Sequence, residues 1–461
     1  MLPFEDSTLR SQAGQFGSSP PMPVLSWLFP TTGPVVHALE GAAKLIGRDP
    51  SCAIRLESRS VSRRHAEIYR QGPILAIKDL DSKNGVYVEG RRVTHAALKC
   101  GQLVRIGDHV ALFSMLDREQ WQTPPTFSEL APGLLGGAQF SAALRLLRRA
   151  ASDALPIILQ GETGTGKEVI ARSVHLWSGR PGPFYAVNCA AIPESMIEAE
   201  LFGYRKGAFT GAAQPHQGHI RAAHEGTLFL DEILDLPLAA QAKLLRVIEQ
   251  NEVTPLGETR AQPVDLRLVC ACQDSLQLAV ERGAFRADLH ARLNGYTCNI
   301  PPLRERREDV TALFAAFMHR FSGGRPPAVD AKLIERLCLY QWPQNVRELE
   351  LLTRSLLVLH GDQKVLHRDL LPGHVTCPEP ASEPAPKVVN VNGADRDEHD
   401  LGRLVLELKR TGGNVARAAA SAGVSRQRAY RLMGGRSVGQ LLERPAATEE
   451  LQGNASASGE N

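Results

Sequence analysis

The chain is 461 residues long, 43% hydrophobic and 22% charged, with a formal net charge of +3 that decides nothing by itself. At about 150 residues per domain, that length predicts three packed units. No charged-then-apolar leader, no apolar run near the ~18 residues of a membrane span and no CxxC pair among the eight cysteines are found, which excludes a membrane-spanning protein and predicts a reducing, cytoplasmic setting.

In chain order, residues 1–22 are rich in Ser, Gly and Pro and read as a flexible leader. Across 23–116, short alternating apolar runs (Leu45-Ile46, Ala66 to Tyr69, Ile74 to Ile77, Val86 to Val88, Leu103 to Ile106, Val110 to Phe113) are punctuated by Gly72-Pro73, Asn84-Gly85, Glu89-Gly90 and Gly107-Asp108. That is the spacing of an all-β sandwich. Residues 117–131 are polar and proline-bearing, hence a linker. From 132 to 300 helical and β-rich runs alternate, as in an α/β sheet, and after Pro301-Pro302 the pattern turns helical to 372, which predicts a small helical lid. A second linker, 373–397, leads to a compact helical module, 398–436, and a disordered tail, 437–461. Cys270 and Cys272 lie in an apolar strand and read as core packing rather than a metal site.

The most informative stretch is Gly161-Glu162-Thr163-Gly164-Thr165-Gly166-Lys167, which follows the apolar run Leu155 to Leu159 and precedes a helix-like segment, Glu168 to Trp177. Strand, glycine loop and helix make a phosphate cradle: closely spaced glycines turn successive N–H groups onto a polyphosphate, and Lys167 adds a point charge beside the outer phosphates. A nucleoside triphosphate is the expected ligand. The apolar strand Thr227 to Leu230 ends in Asp231, expected to hold Mg2+, and Glu232, expected to polarise the attacking water. Glu168 stands where a serine or threonine usually offers its hydroxyl to the metal, so metal binding leans on Asp231 and waters.

Leu201-Phe202-Gly203, Lys206 and then Gly207-Ala208-Phe209-Thr210-Gly211-Ala212 follow. Two glycine hinges expose Phe209 and Thr210 at a mobile tip. This resembles the GAFTGA loop with which sigma-54-dependent transcription activators, AAA+ ATPases, touch the sigma factor. Further stations of that family recur across roughly 132–372. The resemblance implies that Asn188 couples to Glu232, that Arg286 and Arg292 are offered to a neighbouring subunit's site in a hexameric ring, and that Arg347 in the lid senses the phosphates. ATP and Mg2+ are the implied cofactors and sigma-54 RNA polymerase the implied partner. Two positions depart from the pattern. Ala271-Cys272-Gln273 replaces Ala-Thr-Asn, and Arg205 replaces a glutamate before the loop, so phosphate sensing and loop restraint are expected to differ.

The N-terminal sandwich carries Ile46-Gly47-Arg48, Val61-Ser62-Arg63-Arg64-His65 and Asp81-Ser82-Lys83-Asn84-Gly85. It resembles a forkhead-associated (FHA) domain, in which Arg48, Ser62, Arg63, Lys83 and Asn84 would bind phosphothreonine and His65 would brace the loop. A serine/threonine kinase is then the implied upstream partner. At the other end, 401–436 holds eight basic residues against one acid, and Asn414 to Ala422, Gly423 and Ser425 to Leu432 read helix, turn, capped helix. This resembles a Fis-type helix-turn-helix, with Ser425 as cap and Arg426, Gln427, Arg428, Tyr430 and Arg431 facing double-stranded DNA. The whole reads as an all-β sandwich, an α/β ATPase with helical lid, and an all-α DNA-binding module. A phosphopeptide- and DNA-binding regulator with a vestigial ATPase is the alternative, and a small-molecule kinase a third reading that leaves the loop 207–212 unexplained.

Overall fold

The period-two alternation after residue 22 folds as two sheets, antiparallel except where Lys44–Gly47 meets Ile54–Arg55, in the computed structural model, which describes residues 21–30, 35–41, 43–116 and 127–375 and parts of 404–438. One sheet runs Val35–Ala38, Met22–Phe29, His109–Leu116, Leu103–Ile106, Val86–Val88, Arg91–Val93. The other runs Ile54–Arg55, Lys44–Gly47, Ala66–Gln71, Ile74–Asp79, His95–Ala97. Leu25, Ile46, Ile68, Ile77, Val104 and Phe113 interdigitate between them. All six alternating runs lie within strands. Strand Met22–Phe29 begins at the last residue expected in the leader, and Pro23, second in that strand, sits where a missing N–H is tolerated.

A correction follows at 128–131, expected within a linker: Ser128–Ala131 is a strand paired with Leu134–Gly136 around Gly133, whose φ of 76° suits glycine. Ala131 and Leu134 bury against Phe140, which is why the segment orders. The sheet of the α/β domain is parallel throughout, in the order Phe184–Asn188, Thr227–Asp231, Arg267–Cys272, Ile157–Gln160, Tyr296–Asn299. Its strands therefore present their carboxyl ends together, where ligands bind in open α/β sheets. Cys270 and Cys272 are core residues as expected, and burial pushes the Cys272 thiol up to about 11. The lid comprises helices Arg307–Phe321, Ala331–Leu339 and Asn345–His360 around fully buried Trp342.

The sandwich packs on that lid. Leu103, Val110 and Leu112 share one apolar cluster with Val310, Phe314 and Leu337. Around it, buried Arg105 donates from Nε to Glu335 Oε2 at 2.7 Å, and Arg307 Nη1 donates to both Glu89 oxygens at 2.9 and 3.1 Å. Glu308 sits beside the same seam. Burial, then the charge of Asp309, raises its carboxyl from 4.5 to about 7. Between those values the folded chain holds the proton more than the unfolded chain does, so stability falls as pH rises through that window and levels off above it. Glu308→Gln is expected to raise stability at pH 8 by about 1–2 kcal/mol and to flatten the slope between pH 5 and 7 in scanning calorimetry.

Residues 378–461 form a separate unit. Helix Val415–Ala422 is present, and Leu404, Leu408, Ala418, Ala419, Ala429 and Met433 share an apolar cluster. Of the expected DNA-facing residues, Arg431 is helical and exposed, whereas Ser425, Arg426, Gln427, Arg428 and Tyr430 lie outside the described residues. So do most of the expected leader, the second linker beyond 375, and the tail apart from Val438.

Candidate functional site

The cradle forms where strand Ile157–Gln160 hands over to helix Lys167–Ser178, a residue either side of the sequence reading. Gly164 and Gly166 have φ of 77° and 99°. A methyl group on Gly164 would lie 2.1 Å from Gln344 O, so glycine is required by the lid as well as by the turn. Thr165 Oγ1 donates to Glu162 O at 2.8 Å and tightens the loop. Lys167, nearly buried, donates from Nζ to Gly161 O at 2.8 Å and lies 3.9 Å from Glu232. Glu168 turns away and pairs with Arg172 at 2.8 Å, which removes it from the cradle.

Three residues given no role in the sequence reading weld this loop to the lid. Arg304 donates to both Glu162 oxygens at 2.8 and 2.6 Å. Fully buried Asn345 donates from Nδ2 to Glu162 Oε2 at 3.1 Å and Thr163 O at 2.9 Å, and accepts Leu303 N–H at 2.8 Å. Its φ of 53° is one that asparagine tolerates better than most side chains. Buried Arg306 reaches Thr165 O at 3.3 Å. Arg347, expected to sense phosphates, sits exposed on the same turn with its N–H toward Gly164 O.

At the carboxyl edge, Asp231 Oδ1 is buried with no hydrogen-bond partner, and burial followed by the Glu232 charge raises its carboxyl above the usual range. An orphaned carboxylate oxygen beside a phosphate loop fits a hard cation with oxygen ligands. Glu232 was expected to be held by Asn188. Instead Asn188 Oδ1 accepts Ala191 N–H at 3.2 Å as a turn cap, and Gln273 Nε2 donates to Glu232 Oε1 at 2.8 Å. Strands Phe184–Asn188 and Arg267–Cys272 flank Thr227–Asp231 on its two sides, with Asn188 opposite Asp231, and of the two amides Gln273 is the one that meets Glu232. The extra methylene relative to the asparagine usual there carries the amide to the carboxylate. Arg286 is half-buried and paired with Asp288 at 2.6 Å, and Arg292 is exposed on helix Ala287–Leu293.

The loop 207–212 is a tight excursion closed by Gly207 N–H to Ala212 O at 2.9 Å, with Gly207 and Gly211 at φ 80° and 104°. Ala208, Phe209 and Thr210 form its tip, and Phe209 is 44% exposed. Its ring leans on Tyr204 at 4.9 Å, and Tyr204 stacks on His216 at 5.5 Å, so the finger stands on an aromatic base. Arg205 N–H bonds Leu256 O, tying the loop's root to the segment that follows helix Leu238–Gln250.

In the sandwich, exposed Arg48, Arg63, Lys83 and Asn84 and half-buried Ser62 gather at one end. Arg48 N–H bonds Ser62 O at 3.0 Å, Lys83 N–H bonds Ser62 Oγ at 3.1 Å, and Gly47 admits no side chain because Arg63 O lies 2.2 Å from any Cβ. His65 Nδ1 accepts Ser62 N–H, so Nε2 carries the proton and donates to Gly85 O at 3.1 Å. Burial holds this imidazole below its ordinary pKa, in keeping with a neutral brace.

Residues 135–299 match the sigma-54 interaction domain, 44–107 the FHA domain and 304–387 an AAA+ ATPase lid domain. The phenol regulator MopR of Acinetobacter guillouiae is 43% identical over 291 residues, 61% of this chain and 52% of its own length. The sigma54-dependent transcriptional activator SfnR of Pseudomonas putida is 42% identical over 276 residues, 58% of this chain and 75% of its own. NtrX from Brucella abortus in complex with ADP superposes with a TM-score of 0.50 at 30% identity, over 65% of this chain and 69% of that one. The chain spans about half the length of the first curated relatives it matches, 52% of MopR and 53% of XylR of Pseudomonas putida. With these three domains on one chain, and with three quarters of SfnR covered, the protein belongs to the family of sigma-54-dependent transcriptional regulators.

Proposed function

We propose that the chain hydrolyses ATP to remodel sigma-54 RNA polymerase at promoters whose upstream DNA its C-terminal module binds, with phosphothreonine recognition by the FHA domain as input. The observation that carries this is a hydrolytic set and an aromatic finger in one domain: Lys167, orphaned Asp231 and amide-held Glu232 together with exposed Phe209. Lys167 and the loop N–H groups bind and orient the phosphates, Glu232 takes a proton from the attacking water, and Gln273 fixes one Glu232 oxygen so that the other faces the reaction. Asp231 would hold Mg2+, which supplies charge neutralisation on the phosphates. Arg292 is exposed and Arg286 half-buried, so both can be reached by a neighbouring subunit, which supports a hexameric ring. The bond from Gln273 to Glu232 argues against a vestigial ATPase.

The test is open-complex formation by purified full chain with sigma-54 polymerase on a supercoiled sigma-54 promoter. Melting is expected with ATP and absent without it, and Phe209→Ala should turn over ATP yet fail to melt DNA. Melting that proceeds without nucleotide ends the reading. For the input, Ser62→Ala is expected to weaken binding of a degenerate phosphothreonine peptide about tenfold in fluorescence anisotropy, since it removes a charge-assisted donor worth about 1.5 kcal/mol.

A further inference from the structure

The end of the sandwich that carries Arg48, Ser62 and Asn84 is joined to its docking on the lid by hydrogen bonds and one tight backbone contact. Asn84 Nδ2 donates to Ser60 O at 2.6 Å. Ser60 Oγ donates to Asp108 Oδ1 at 2.5 Å and accepts Asp108 N–H at 2.9 Å, while Ser58 Oγ holds Asp108 Oδ2 at 2.8 Å. Gly107 presses on this turn so closely that a Cβ would stand 2.5 Å from Ser60 Oγ and 2.9 Å from Ser60 O, and its φ is 61°. Gly107 O accepts Arg105 Nη1 at 3.2 Å, and Arg105 Nε reaches Glu335 on lid helix Ala331–Leu339. A second route is shorter. The Arg105 guanidinium lies 3.7 Å from the centre of the Tyr87 ring, two residues after Gly85, whose carbonyl anchors the His65 brace.

Resting on the phosphothreonine reading above, we propose that Arg105 couples the two ends of the sandwich, so that a phosphothreonine peptide filling the loops of Arg48, Ser62 and Asn84 loosens the domain's hold on the lid. The sign comes from what the loops already spend. A peptide that takes the Asn84 amide leaves Ser60 O without its donor. The Ser60 turn then shifts, and Gly107, with no slack against it, shifts too. Arg105 is a buried charge whose guanidinium is divided between Gly107 O, the Tyr87 face and Glu335, and such a group tolerates loss of a partner poorly. A junction of this kind parts rather than stretches. The lid also carries Asn345 and Arg304 on the phosphate loop, so its release reaches the nucleotide cradle through contacts already described.

Coupling of this sort is reciprocal. In the full chain, Glu335→Gln is therefore expected to bind a degenerate phosphothreonine peptide about five- to tenfold more tightly than the unaltered protein. Its ATP turnover should rise to the level that saturating peptide gives the unaltered chain, and peptide should stimulate it no further. Glu89→Gln, which weakens the Arg307 clasp at the rim of the same seam, should move both quantities the same way by less. Unchanged far-ultraviolet circular dichroism identifies the variants as folded, and faster amide exchange across 331–339 on peptide addition is the direct readout. Equal peptide affinity in the unaltered chain and both variants, with equal stimulation, overturns the coupling alone. No binding of the phosphothreonine peptide by any of the three overturns the phosphothreonine reading and the coupling with it.

Discussion

Glu232→Gln is expected to lower ATP turnover by about 10²- to 10⁴-fold while ATP affinity stays within about threefold, because the lost carboxylate would act on the water and not on the phosphates. Gln273→Leu, equal in size but unable to donate, is expected to cost about ten- to a hundredfold in kcat with KM little changed, since it releases the oxygen that Gln273 Nε2 now fixes at 2.8 Å. Gln273→Glu should be worse, placing a second carboxylate against the first. Combining Gln273→Leu with Glu232→Gln should add almost nothing, as expected of two groups acting as one. Steady-state turnover beside equilibrium binding of a fluorescent ATP analogue separates these outcomes. A Gln273→Leu protein with full turnover would show that another group positions Glu232.

Asn345→Ala is the second large effect, about 3–4 kcal/mol of lid stability in urea denaturation. The substitution removes three hydrogen bonds in a fully buried position, strands Thr163 O and Leu303 N–H, and leaves alanine at a φ of 53°. Asn345→Gly relieves the backbone and should recover about 1 kcal/mol of that loss, while the missing side-chain bonds account for the rest. Nucleotide affinity should fall with stability, because Glu162 and Thr163 lose the partner that fixes the cradle. Retention of full stability would mean that Arg304 alone binds the loop to the lid.

Contiguous chemistry was the readable part of this chain. Gly161 to Lys167, Asp231-Glu232 and the finger 207–212 each occupy one short segment, so residue type and spacing located them within a residue or two. Arg304 and Asn345 answer partners 142 and 183 residues away, and nothing local gives them that role; Gln273 stood out as a departure from the family pattern, but its partner 41 residues away did not. Asn188 caps its own turn through Ala191 N–H, while the amide from the other flanking strand meets Glu232. The stretch Leu103-Val104-Arg105-Ile106 shows a different limit. Its alternation reads as a half-buried strand, yet all four residues are buried, because Leu103 and Arg105 face the lid while Val104 and Ile106 face the sandwich. Likewise Val110 to Phe113 is continuously apolar because both of its faces are covered. Continuous burial marked a junction between domains, and only the second domain's position reveals it.

The shared apolar seam between the sandwich and the lid sets how these parts can be recombined. A chimera that grafts another sensory module in front of residue 128 would leave Phe314 and Leu337 facing water, and one that transplants this sandwich elsewhere would carry Leu103, Val110 and Leu112 bare. Sensor and lid thus constitute a matched pair, and swapping experiments should treat 22–116 and 303–375 as a single cassette.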